Sequence, residues 1–257
     1  MLKDKIAIVT GGARGIGRAV AFNMASYGAK IALFDLNEKG LKETAEQINA
    51  GGGNAIYCIT DVSKKENCEA SVQRTVEKFG TVDILANCAG ISHAGRLDEL
   101  AERDWDKVMN INLKGTFFLS QLVSKIMIEK GYGKIVNTAS QAAKVGEAGN
   151  GVYCISKAGI VMMTQVMALE LAEYGINVNA VCPGYTDTAI MQQVFLERGP
   201  LLGMTPEECK KDFLENVPLK RMACPDEIGE LMSFLASDKS SYITGVAISI
   251  AGGKILF

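Results

Sequence analysis

The chain has 257 residues, 48% of them apolar, and a formal charge of −2 at neutral pH. That is enough chain for a full hydrophobic core, as one large α/β domain or two small ones, and it offers no basic field for a nucleic acid. No apolar run reaches the roughly 18–20 residues of a membrane span, and residues 1–10 lack the charged start, long apolar stretch and cleavage site of a signal peptide. A cytoplasmic protein with no membrane or nucleic-acid partner is expected.

In chain order, residues 5–10 read as a strand, about 15–27 as a helix, 30–35 as a strand and about 41–50 as a helix. Strand 55–59, helix 65–79 and strand 84–87 follow, then a long helix at about 105–130 and a strand at 134–138. The remainder reads as helix 151–174, strand 177–182, helix 225–235 and strand 247–250. Alternation of this kind predicts a doubly wound α/β fold of the Rossmann type, a seven-stranded parallel sheet with helices on both faces. No Pro-, Ser- or charge-rich linker divides the chain, and all five prolines lie at or after Pro183. We therefore expect a single domain over residues 1–257. The seven cysteines form no C-x-x-C pair and only one histidine accompanies them, so buried thiols are expected and no metal site.

The first strand runs into Thr10-Gly11-Gly12-Ala13-Arg14-Gly15-Ile16-Gly17 and then a helix. Gly11, Gly15 and Gly17 allow a tight turn, close approach of backbone amides to a pyrophosphate, and close helix packing, with Arg14 and Ile16 between them. Asp35 ends the next strand about 20 residues on, where this fold places the acid that takes the adenosine ribose hydroxyls. Its charge would repel a 2′-phosphate, which favours NAD over NADP. Arg14 pulls the other way, but Leu36 brings no second cation.

Tyr153 and Lys157 are four residues apart in a predicted helix, and Ser140 lies thirteen residues upstream. Side chains at that spacing share one helical face. A fixed ammonium, supplemented by a cofactor cation, is expected to depress the phenol from its ordinary pKa of about 10.

With these residues in place the chain resembles the short-chain dehydrogenase/reductase family from about residue 5 to 253. The glycine turn matches its T-G-x-x-x-G-x-G pattern, and Asp61 and Val62 match its adenine-contacting pair. Asn87-Cys88-Ala89-Gly90 is similar to its N-N-A-G segment, with Cys88 in place of the second asparagine. Asn112, Ser140, Tyr153 and Lys157 match its catalytic asparagine, serine, tyrosine and lysine. Pro183, Gly184, Thr186 and Thr188 fall in the segment that holds the nicotinamide carboxamide. The resemblance implies hydride transfer between a secondary alcohol and NAD(H), with Tyr153 as acid or base, Ser140 on the reacting oxygen, Lys157 on the ribose and Asn112 anchoring a water. It also implies a homotetramer. One departure is Ala251, where the family often carries an acid before paired glycines.

Substrate choice is expected to rest on residues 189–216, a covering segment, and on Gln141, Lys144 and Glu147 beside Ser140. This region resembles the sugar-alcohol dehydrogenases, including those acting on sorbitol 6-phosphate, which implies a polyol or polyol phosphate. For a phosphate, Lys144 is the first candidate and Arg198 the second. His93 is expected to shape the pocket, not to act as a base, and Met162, Met163 and Met167 to serve packing. A 3-oxoacyl or hydroxysteroid ketone reductase is the alternative within the family. A dinucleotide-sensing protein without catalysis is the alternative outside it.

Overall fold

The computed structural model describes residues 1–257. Seven strands, β1 (Ile6–Thr10), β2 (Lys30–Asp35), β3 (Asn54–Ile59), β4 (Ile84–Asn87), β5 (Gly133–Thr138), β6 (Ile176–Pro183) and β7 (Ala247–Ile250), form one parallel sheet in the order β3-β2-β1-β4-β5-β6-β7. Every residue of β1 is buried, because helices cover both faces of a parallel sheet. The two-residue strand period divides the core: Ala7 and Val9 join one apolar cluster with Ile31, Leu33 and Ile228, whereas Ile8 joins the opposite one with Phe34, Leu85 and Val123.

Strand order reverses at β1, whose Val9 lies opposite Leu33 on one side and Ala86 on the other. Chains leaving β1 and β4 turn to opposite faces, which opens a crevice at their carboxyl ends. Thr10 floors it. Its Oγ1 accepts from the backbone N–H of both Cys88 and Ala89 at 2.9 Å, tying the end of β1 to the end of β4.

Helices α1 (Gly15–Ser26), α2 (Glu38–Ala50) and α3 (Lys65–Phe79) follow the first three strands. The expected long helix after β4 is instead α4 (Glu102–Met109), a π-helical turn (Asn110–Lys114) and α5 (Gly115–Lys130). The wider turn falls where Asn112 leaves the helix surface to bond Ile91 and Ser156. Helix α6 (Gly151–Leu171) follows β5 and buries Val152, Ile160, Thr164 and Ala168. With the 3₁₀ turn that extends it to Tyr174, it has the length and apolarity of a membrane span, at a mean hydropathy of 1.5 over its best window. This corrects the expectation that no stretch does; the helix is packed along β6.

The covering segment, for which no elements were expected, forms α7 (Ala189–Leu201) and α8 (Pro206–Glu215). Thr188 caps the first, accepting from Met191 N–H at 3.3 Å. Thr205 and Glu208 form a reciprocal capping box on the second, with Pro206 at its first position. Helix α9 (Pro225–Leu235) packs beside α1. Six of the cysteines are buried or half-buried as expected; Cys224, preceding α9, is exposed.

Candidate active site

A cleft of about 470 Å³ runs along the carboxyl ends of the strands, within the size range of small-molecule sites. One end is built by the glycine turn. Gly11 has φ +66°, and a Cβ on Gly17 would lie 2.2 Å from the carbonyl oxygen of Gly11, so only a bare backbone makes this cradle. The amino terminus of α1 opens there beside Arg14, and its partial positive charge favours an anion. Asp35 Oδ2 accepts from Ala13 N–H at 3.3 Å and Oδ1 from Asn37 N–H at 3.0 Å, which holds the carboxylate over the turn. Asp61 is held likewise by the backbone and hydroxyl of Ser63. A cradle that a side chain would fill, with an acid at the end of β2, fits a dinucleotide.

The other end is built by β5 and α6. Ser140, just beyond β5, is buried, and its Oγ accepts from Ala142 N–H at 3.2 Å. Tyr153 and Lys157 project from the first turns of α6, the ammonium 5.6 Å from the ring centre. Lys157 Nζ donates to the carbonyl of Thr138 at 2.7 Å. Burial pushes the Tyr153 phenol up to about 12, against a hydrogen bond from Ser140 that lowers it and the Glu147 carboxylate that raises it further. Burial also draws Lys157 down to about 8. Without the cofactor cation that the expected depression also draws on, the phenol lies above its ordinary value, because loss of water outweighs the lowering by Ser140.

The cleft wall carries Gly11, Arg14, Gly15, Ile16, Gly17, Asp35, Leu36, Asp61, Val62, Ala89 and Gly90 from the nucleotide end. It carries Ser140, Gln141, Glu147, Tyr153, Lys157, Pro183, Gly184, Thr186 and Thr188 from the catalytic end. Four expected residues lie elsewhere. Asn87 turns into the sheet, where its amide donates to Ser120 and Asn137 and joins β4 to α5 and β5. Asn112 is wholly buried, its amide spent on Ile91 and Ser156, which makes its side chain a brace under Gly90. Lys144 points away to β7, where Nζ meets the carbonyls of Ala247 and Phe257 and the hydroxyl of Ser249 at 2.6–3.0 Å. Those three oxygens hold it off the cleft wall. His93 packs over Gly95 and lines no part of the cleft.

Several wall residues escaped sequence reasoning. Asn150 donates to Glu147 Oε2 at 3.0 Å, and Tyr185 stacks on Phe213 with its hydroxyl against Lys254. Tyr185 stood inside the Pro183–Thr188 motif, which was its only signal. Ile190, Met191 and Val194 reach the cleft from α7, whose inward face no local pattern marks.

A doubly wound sheet whose switch-point cleft joins a glycine turn to a serine, a tyrosine and a lysine defines a dinucleotide-binding oxidoreductase. The chain belongs to the short-chain dehydrogenase/reductase family: a family model described as enoyl-(acyl carrier protein) reductase matches residues 11–254. The NAD-dependent glycerol dehydrogenase of Listeria innocua is 41% identical over 98% of this chain and 94% of its own. The BbsD subunit of a hydroxy(phenyl)methylsuccinyl-CoA dehydrogenase from Thauera aromatica is 36% identical over 100% and 98%. An actinorhodin polyketide ketoreductase solved with NADPH superposes with a TM-score of 0.94 at 34% identity, covering 99% of each chain. The family uses nicotinamide dinucleotides.

Proposed function

We propose that this oxidoreductase interconverts a polyol and its ketone with NAD as cofactor, in the cytoplasm and as a homotetramer. The observation that carries the reading is the single cleft in which Tyr153 and Ser140 face the glycine turn and Asp35. A bound nicotinamide supplies the hydride acceptor or donor. Tyr153 would take the hydroxyl proton onto its Oη as the phenolate, the form that the positive charge of an oxidised nicotinamide would favour, as the carbonyl forms, or would return it in reduction. Ser140 donates to the same oxygen, where charge changes most. Lys157 uses one of its three N–H groups on Thr138 and keeps the others for the ribose. Asp35 at the end of β2 favours NAD; the glycerol dehydrogenase relative is NAD-dependent, whereas the ketoreductase structure holds NADPH. Polar Gln141 and Glu147 on the wall favour a hydroxylated substrate. Seven free thiols fit a reducing compartment.

A second reading, reduction of a 3-oxoacyl or steroid ketone, draws on Ile190, Met191 and Val194, which give the α7 side of the cleft an apolar surface. Turnover with NAD and NADP across polyols and 3-oxo thioesters separates the two. Tyr153→Phe is expected to lower kcat by about 10²–10⁴-fold with dinucleotide affinity unchanged. Tight dinucleotide binding with no turnover of any substrate would leave a sensor.

A further inference from the structure

Three cations line the cleft: Arg14 at the glycine turn, Lys157 beside Gly90, and Arg198 at the substrate end. Arg198 comes from α7 and is buried. Its Nη1 donates to Glu147 Oε2 at 2.8 Å, its Nη2 to the Ala148 carbonyl at 3.0 Å, and its guanidinium lies 5.0 Å from the Phe213 ring centre. Side-chain exposure is 8% for Arg198 and 15% for Glu147, so the pair is fixed and the carboxylate is the more open partner. Glu147 also accepts from Gln141 at 3.2 Å and Asn150 at 3.0 Å. A carboxylate offers about four lone-pair directions, and these three donors leave about one. The nearby bases Lys144 and Lys254 are held on β7 oxygens and on the Tyr185 hydroxyl, and neither lines the cleft.

We infer that the Glu147–Arg198 pair reads an uncharged hydroxyl of the substrate and rejects a phosphorylated one. The inference rests on the polyol reading and narrows it to free polyols. A substrate hydroxyl donates its proton to the lone pair Glu147 keeps. A phosphate ester has mostly lost its second proton at neutral pH and brings a charge of about −1.5 to −2 beside a carboxylate whose ion-pair partner Arg198 is already engaged. Helix α7 thereby delivers a specificity residue to the loop that leads into the catalytic helix.

The test compares kcat/KM for free sorbitol and sorbitol 6-phosphate, together with binding of each to the NADH complex. Wild type is expected to favour the free polyol by about 10²-fold, and Glu147→Gln to shrink that ratio at least about tenfold by improving the phosphate ester. Should the orphaned Arg198 unfold that variant, Glu147→Gln combined with Arg198→Met removes both charges and is expected to narrow the ratio too. Equal or better use of the phosphate ester by wild type, or a ratio indifferent to both variants, overturns the inference. Binding of free sorbitol over its phosphate without turnover supports the selection but removes the polyol oxidation. Binding of neither overturns both.

Discussion

Lys157 is buried and Tyr153 half-buried, each against its own ionisation, and the balance is a property of single residues. With Lys157 drawn down to about 8 from an ordinary value of 10.5, the unfolded chain binds more protons than the folded one between those pH values. Its charge therefore costs stability below about pH 8, and that cost disappears as pH rises toward 10.5. Lys157→Met is expected to abolish turnover yet unfold at higher temperature than wild type at pH 7, with the advantage shrinking by pH 10. Thermal unfolding of both without cofactor measures it; an advantage constant across pH would refute the desolvation account. Cys88, which replaces the family's second asparagine beside Lys157, is pushed up to about 11 by burial and stays a neutral thiol. That burial explains why the replacement adds no nucleophile to the site.

At the scale of elements, the β1 turn and α1 form one unit whose geometry depends on a missing side chain. Gly17 has an ordinary negative φ, so its requirement is purely steric: the added Cβ of Gly17→Ala meets the Gly11 carbonyl, its carbonyl carbon at 2.6 Å and the Thr10 carbonyl at 2.8 Å. Overpacking of this kind costs about 1–3 kcal/mol. Expected are a Tm lower by roughly 2–12 °C and dinucleotide affinity weakened at least about tenfold, read by thermal unfolding and fluorescence titration. Unchanged affinity would mean the turn adapts without spreading. The turn was legible because strand, glycines and helix follow each other within a dozen residues. The π-helical break at Asn112 was not, since it answers to Ile91 and Ser156, twenty-one and forty-four residues away.

Across the whole molecule, one surface lacks a partner within the chain. Met162, Val166 and Leu169 recur at helical spacing on α6 and are exposed, Leu169 to 83%, with Phe117 of α5 also open. A stripe of this kind on a folded chain favours contact with a second copy, in keeping with the proposed tetramer. Leu169→Glu is expected to shift the assembly to a smaller species in light scattering while the circular dichroism spectrum is retained. A wild-type monomer would contradict the proposal.

What the sequence alone determined is the part encoded locally: strand and helix periodicity, the glycine turn, Asp35 at a strand end, and Tyr153 four residues before Lys157 on one helix. Tertiary structure decided where the polar side chains go. Lys144 ranks ahead of Arg198 in the sequence as a substrate-facing base, yet Lys144 is bound by oxygens from β7 and it is Arg198 that is paired with Glu147 on the cleft wall. The reason is physical: a buried polar group must find its hydrogen-bond partners, and those partners lie 50 to 113 residues away in the chain, where no local pattern can name them.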